Sequence, residues 1–144
     1  MADGPTLETE RLILRPLARE DFEPWVAFAS DAEVMRHLGG VQPRAVAWRG
    51  FMSVAGSWSM LGFAMFSVIE KASGRWVGRL GPWTPDGWPG TEVGWGLARE
   101  AWGRMLEALD RSGDRAAATE AANAYLARYP SGPHAAFARH LAAR

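Results

Sequence analysis

The side chains that most often hold metals or act as nucleophiles are scarce in this sequence. The chain has 144 residues and no cysteine, which excludes thiolate nucleophiles, disulfides and thiolate metal sites. Its histidines, His37, His134 and His140, lack the i, i+4 spacing that places two ligands on one helix face, and no carboxylate cluster accompanies them. We therefore expect no metal site, and we expect the three histidines at the surface.

Tryptophan is the other residue type with chemistry of its own. Five of the eight tryptophans could form a platform for stacking bases: Trp58, Trp76, Trp83, Trp88 and Trp95. A nucleic-acid site also needs a basic groove, and 16 basic against 16 acidic residues with a pI near 6.8 provide no broad positive field. We expect these tryptophans to pack in the core, and we expect no nucleic-acid or membrane partner.

The elements that would position these side chains change type along the chain. Residues 11–15 are typical of a strand, and apolar spacings of three and four predict helices over 19–30 and 43–60, with Asp31 capping a short turn. Aromatic and β-branched residues predict three more strands, over 63–70, 76–83 and 91–97. This order indicates an α+β fold with a four-stranded antiparallel sheet.

The last third of the sequence has a different composition. From Met105 onward there is no valine, isoleucine or tryptophan, and alanine and arginine dominate. Helices are predicted over 98–109, over 115–128 and from about residue 133. We therefore expect two parts, residues 1–104 and an all-α tail of residues 105–144.

Four strings in the first part resemble those of a known enzyme family. They are Thr9 to Pro16, Gly74 to Gly81, Glu92 to Ala98 and Trp102 to Arg104. Their ordered set is similar to the GNAT N-acetyltransferases, in the branch that includes ribosomal-protein N-acetyltransferases, over most of residues 7–104. The resemblance implies a partial GNAT fold, an antiparallel sheet with two main helices. It also implies acetyl transfer from acetyl-CoA, as co-substrate, to a primary amine of a protein N-terminus or a small molecule.

The resemblance also implies roles for particular residues. In this family the strand matching 92–98 offers backbone groups to the pantetheine arm and helps polarise the thioester carbonyl. The cofactor-binding residues would be Trp95, Gly96, Leu97 and Ala98. Glu92 matches a carboxylate that accepts the amine proton in some relatives. Without the family context, an ordinary strand-end carboxylate is the favoured interpretation.

Two tryptophans, Trp83 and Trp88, lie beside the loop rich in proline and glycine that precedes Glu92. In the acetyltransferase interpretation they would line the acceptor pocket.

The glycine-rich turn that holds the CoA pyrophosphate in this family is reduced to Gly103 and Arg104, the remaining cofactor-binding candidates. Met105, Leu106 and Glu107 follow, with no second glycine. The sequence therefore predicts that the pyrophosphate-binding turn is missing and that activity is impaired. An insertion after Arg104, with the family pattern resuming near residue 118, is the alternative.

The tail resembles a single tetratricopeptide repeat. The residues at the spacing of that repeat are Trp102, Met105, Leu109, Gly113, Ala118, Tyr125 and Pro130. A generic helical hairpin is the alternative. Because one repeat cannot bury both of its faces, we expect a protein partner or a homodimer, through the tail or through an exposed edge of the sheet.

Two functions follow for the whole chain. The first is a GNAT-type N-acetyltransferase that uses acetyl-CoA and an amine acceptor, without a metal. The second is a non-catalytic interaction module, or a natural or engineered fusion with a helical-repeat tail. The start of the chain does not resemble a secretory signal, and its apolar stretches are shorter than the roughly 20 residues that span a bilayer, so we expect a cytoplasmic protein.

Overall fold

The computed structural model describes residues 4–143, apart from the side chain of residue 100. The chain divides into two compact units, Met1–Ala98 and Arg99–Arg144. The predicted boundary at residue 104 lies six residues into the second unit, inside a helix.

The first unit contains one antiparallel sheet of five strands in the order β1-β2-β3-β4-β5. The strands are β1 (Leu7–Glu8), β2 (Leu12–Arg15), β3 (Phe66–Glu70), β4 (Trp76–Trp83) and β5 (Glu92–Leu97). The sequence predicted the last four, and the expectation of a four-stranded sheet was wrong because β1 also pairs with β2. Two residues are too few to produce a detectable alternation, so β1 leaves no sequence signal.

Three helices connect β2 to β3. A 3₁₀ turn at Arg19–Asp21 leads into α1 (Phe22–Ser30), and α2 (Ala32–Met35) and α3 (Arg44–Leu61) follow. Asp31 caps α2 as predicted, because its carboxylate accepts the backbone N–H groups of the second and third residues after it at 3.0 and 3.2 Å. None of the helices within residues 4–143 is long and apolar enough to span a bilayer.

The core of the first unit is aromatic. Trp25 and Phe28 of α1 pack against Trp76 of β4, with ring centroids 6.4 and 5.7 Å apart. Each such side chain contributes about 1.5–3 kcal/mol by leaving water, and edge-to-face contacts add to this. The predicted core positions of Trp58 and Trp76 are confirmed, since both are buried.

The same core prediction was wrong for Trp88 and Trp95, whose residues are 47% and 66% exposed. Trp88 belongs to a loop, and Trp95 lies on an edge strand. Trp83 is half-buried.

A buried carboxylate joins the start of α1 to the sheet. The carboxylate of Asp21 accepts hydrogen bonds from both terminal guanidinium nitrogens of Arg15, at 2.7 and 2.9 Å. It also accepts hydrogen bonds from the N–H of Ala18 at 2.8 Å and from the hydroxyl of Ser67 at 2.7 Å. The hydrogen bond to Asp21 raises the pKa of Arg15 above its ordinary value. Asp21 therefore connects β2, the 3₁₀ turn and β3.

The second unit contains three helices in its described residues, α4 (Arg99–Ser112), α5 (Arg115–Arg128) and α6 (Ala135–Ala142). Their order and breaks agree with the predicted tail helices. Gly113 adopts φ +77° between α4 and α5, a conformation that suits glycine. Buried Tyr125 and Tyr129 pack against Trp102 at centroid distances of 6.4 and 6.5 Å.

One histidine departs from its predicted surface position. His134 is half-buried, with its ring against the Cα of Gly103, where a side chain would clash. Its backbone N–H donates to the hydroxyl of Tyr125 at 3.1 Å. His37 and His140 are exposed, as predicted.

Candidate active site

The candidate site is built on the hairpin of β4 and β5. The two strands are antiparallel, with Arg79 opposite Gly96 and Trp83 opposite Glu92. β5 is the last strand of the sheet and pairs with β4 alone among the strands of residues 4–143. One edge of β5 is therefore not paired to a strand of that sheet.

The backbone groups that point to this edge follow from the pairing. The N–H of Ala98 donates to the carbonyl of Val77 at 2.9 Å. Because backbone groups alternate in direction along an antiparallel strand, those of Gly96 also point toward β4. The N–H and C=O groups of Trp95 and Leu97 then point away from β4. Of the four predicted cofactor-binding residues, three in β5 and Ala98 just after it, these two present backbone donors at the edge.

The two faces of β5 are unequal. One face carries Glu92, Gly94 and Gly96, and the other face carries Val93, Trp95 and Leu97. A Cβ on Gly96 would lie 2.7 Å from the ring of Phe28, so the glycine face packs closely against α1. Trp95 therefore points to the opposite face, where it is largely exposed.

The predicted catalytic and pocket residues meet at the far end of the hairpin. Glu92 lies directly opposite Trp83, and Glu92 is exposed. The hydroxyls of Thr84 and Thr91 hydrogen-bond at 2.7 Å and close the loop that carries Trp88. The hairpin thus brings Glu92 and Trp83 together, and Trp88 lies in the loop that joins their strands. Their catalytic and pocket roles stay predictions.

Gly103 and Arg104 lie inside α4, within the second unit. Gly103 is the fifth residue of this helix, so its N–H donates to a carbonyl one turn earlier. The segment from residue 103 to 107 is helical and contains no glycine-rich turn. The roles of Gly103 and Arg104 at the phosphate end of acetyl-CoA stay predictions from the resemblance.

Arg79 is a further candidate residue of this hairpin, and the sequence did not single it out. Its guanidinium lies over the rings of Trp25 and Phe28, 4.6 and 5.6 Å from their centroids. Burial lowers the pKa of Arg79 from its ordinary value. The alternation of side chains along β4 was the available signal. Arg79 lies four residues from Trp83, the residue opposite Glu92, so both side chains project from the same face.

Metal ligands do not gather at this hairpin. Across the described residues, no group of three or more histidine, cysteine, aspartate or glutamate side chains could hold a metal ion.

Comparisons with known proteins give the family context of this geometry. Residues 11–139 match the profile of the acetyltransferase (GNAT) domain, a match that runs from the first unit into the second. No curated protein matches the chain.

Three solved structures resemble the chain in fold. An acetyltransferase from Agrobacterium tumefaciens superposes with a TM-score of 0.62 at 24% identity, covering 99% of this chain and 82% of its own. A GnaT-family acetyltransferase from Bordetella pertussis gives 0.55 at 24% identity, covering 74% and 73%. A GNAT-family acetyltransferase from Bacillus anthracis gives 0.56 at 21% identity, covering 72% and 61%.

Proposed function

Because the chain belongs to the GNAT acetyltransferase family, we propose that it transfers the acetyl group of acetyl-CoA to a primary amine. The observation that carries this proposal is the edge of β5, which presents the backbone groups of Trp95 and Leu97 away from β4. An extended chain can add to such an edge by main-chain hydrogen bonds, as a peptide does in β-strand addition. The pantetheine arm is an extended chain with two amide groups.

The edge also suits the chemistry of the thioester. Attack by the amine nitrogen on the thioester carbon places negative charge on the carbonyl oxygen. A backbone N–H that is held by the sheet can stabilise this oxyanion without reorganising. We assign this role to the N–H of Trp95 or Leu97. The C–S bond then breaks, and CoA leaves as the thiol once it takes up a proton.

Glu92 is the proposed proton acceptor. An alkylamine is protonated near neutral pH and must lose a proton before its nitrogen can attack. The carboxylate of Glu92 lies on the same strand as the proposed oxyanion donors and is accessible to solvent, so it can take this proton directly or through water.

The acceptor is a primary amine on a protein N-terminus or a small molecule. Trp83, opposite Glu92, and Trp88, in the adjoining loop, offer apolar and aromatic surface for the part of the acceptor next to its amine. These two side chains are the proposed walls of the acceptor pocket.

We further propose that this chain binds acetyl-CoA weakly. In the family a glycine-rich turn gives its N–H groups to the pyrophosphate, whereas Gly103 here uses its N–H within helix α4. The matching arginine, Arg104, would supply charge to a phosphate but not the missing backbone donors.

A thiol-release assay tests the proposed reaction. The chain contains no cysteine, so a thiol reagent reports only the CoA that leaves acetyl-CoA. We expect release that depends on both enzyme and amine, with an acetylated amine as the second product by mass spectrometry. If small amines, amino acids and short peptides all leave the rate at the spontaneous hydrolysis of acetyl-CoA, the proposal is wrong.

A second candidate function is an interaction module. The second unit has a core of its own, in which Ala122, Tyr125 and Leu141 are buried. The spacing of its residues in the sequence is similar to that of one tetratricopeptide repeat. In this alternative the tail or the edge of β5 would bind a protein partner or a second copy of the chain. The alternative predicts no effect of acetyl-CoA on unfolding, which distinguishes it from the first candidate.

A further inference from the structure

Arg79 lies between helix α1 and the hairpin of the candidate site. It is half-buried in β4, and its guanidinium stacks on Trp25 and Phe28 of α1. Phe28 also contacts Gly96, the residue directly opposite Arg79. The cation therefore lies at the side of the hairpin on which Glu92 projects.

This cation has no anionic partner within the described residues. No ion pair and no hydrogen bond joins the Arg79 side chain to another residue in that part of the chain. Burial alone accounts for its lowered pKa, with no contribution from a carboxylate. Asp21 is the buried carboxylate nearby, and its oxygens accept hydrogen bonds from Arg15, Ala18 and Ser67.

Within the described residues, a half-buried guanidinium without an anionic partner has lost part of its hydration. Desolvating a charge without a partner is unfavourable, and stacking on two aromatic rings recovers only about 2 kcal/mol. Packing alone does not require a charge here, since a methionine could fill the same space against Trp25 and Phe28. Stacking does, however, hold the planar guanidinium in a fixed orientation, which suits bidentate binding of a carboxylate or a phosphate.

We propose that Arg79 binds an anionic group of the acceptor, so that the acceptor carries a carboxylate or a phosphate as well as its amine. This inference rests on the proposed function, because it places the amine at Glu92. Arg79 and Glu92 project from the same face of the hairpin, four residue pairs apart, which is about 13 Å along the strands. The amine and the anion of the acceptor are therefore several bonds apart.

Binding measurements without acetyl-CoA test the proposal. Two matched pairs of probes distinguish the source of the anion: glycylglycine against glycylglycine amide for a carboxylate, and phosphoethanolamine against ethanolamine for a phosphate. We expect the full chain to bind one anionic probe at least about tenfold more tightly than its neutral counterpart by calorimetry, the effect of one charge-assisted hydrogen bond.

Three variants identify the residue responsible. Arg79→Met should remove the preference, and Arg79→Lys should keep part of it, because lysine retains the charge without the planar fork. Arg11→Gln is the matched control: it removes an exposed arginine just before β2, far from β5 in strand order, and should leave the preference intact. Urea unfolding of each variant establishes that it is folded.

Each outcome decides the inference. An anion preference that disappears in Arg79→Met and persists in Arg11→Gln supports it. No preference in the wild-type chain overturns it, as does a preference that survives in Arg79→Met or is lost equally in Arg11→Gln. The binding measurements contain no acetyl-CoA, so they are independent of the CoA-release assay. A chain that prefers anionic probes but releases no CoA in that assay would contradict the proposed function and still support an anion site at Arg79.

Discussion

The carboxylate of Asp21 is the polar group whose loss should cost the first unit most. It is buried, and it accepts four hydrogen bonds, from Arg15 twice, from Ala18 and from Ser67. Asp21→Asn keeps the shape of the side chain and removes its charge. The amide NH₂ group that replaces one carboxylate oxygen then faces the hydrogen-bond donors of the neighbouring residues. Breaking a buried ion pair by removing one member costs about 3–5 kcal/mol. We expect the lower end, about 3 kcal/mol, because the side chain of Arg15 keeps 26% exposure to water.

Urea unfolding measures this loss, and the chain supplies a matched control. Glu23 and Arg44 form a second bidentate pair, but their side chains are 71% and 58% exposed. Glu23→Gln should therefore leave the free energy of unfolding nearly unchanged, because solvent screens an exposed ion pair. The midpoint of thermal unfolding should fall by on the order of 10 °C in Asp21→Asn and by much less in Glu23→Gln. Equal, small losses in the two variants would refute the reasoning, because burial would then not determine the cost.

Three further predictions concern the site and the surface. Glu92→Gln should lower kcat for acetylation of a primary amine by about 10²–10⁴-fold without changing the urea midpoint, and an unchanged kcat would remove Glu92 from the mechanism. Gly96→Ala should lower the free energy of unfolding measured in urea by about 1–3 kcal/mol, since the added Cβ would lie 2.7 Å from the ring of Phe28. An unchanged free energy would mean that the ring relaxes without cost. The hydrogen bond from Arg44 lowers the pKa of Glu23 from its ordinary value of 4.5. The pair therefore stabilises the folded chain above pH 4.5, and this stabilisation is lost as the pH falls through the lowered pKa. Arg44→Gln should return that pKa toward 4.5 in an NMR titration, and a pKa that does not move would contradict this cause.

Most elements of the fold could be predicted from local patterns. The strand before Pro16, the cap at Asp31 and the tail helices each leave a signal within a few residues, and the structure contains all of them. The β3–β4 hairpin was equally visible, because aromatic and β-branched residues flank a short turn. β1 could not be predicted, since its two residues form a strand only through pairing with β2.

The orientation of β5 could not be read from its sequence. The alternation of Val93, Trp95 and Leu97 with smaller residues indicates that the large side chains face the core. The structure has the reverse arrangement at Trp95, because Phe28 already fills the space above Gly96. Which face of an edge strand is buried depends on the helices packed against it, and those contacts are remote in sequence.

Candidate site residues could be named from the sequence only where the family resemblance attaches a role to a position. Glu92 and Arg79 both lie within strings that resemble the family, but the resemblance gives a role only to Glu92. A single arginine in a strand is usually a solvated side chain. Its unusual surroundings arise from Trp25 and Phe28, which come from a helix more than fifty residues earlier in the sequence.

Acetyl-CoA binding at the edge of β5 is the central claim, and one comparison tests it directly. Trp95→Ala removes an exposed side chain and keeps the backbone N–H, whereas Trp95→Pro also removes that N–H, which faces away from β4 and makes no ladder bond. At a hundredfold excess over Kd, acetyl-CoA should raise the unfolding free energy of Trp95→Ala by about 2.7 kcal/mol. At the same concentration the rise in Trp95→Pro should fall to about 1.4 kcal/mol, because one lost hydrogen bond weakens binding about tenfold. Equal stabilisation of both variants would remove the N–H of Trp95 from the site and leave that of Leu97, whereas no stabilisation of either variant would contradict the claim.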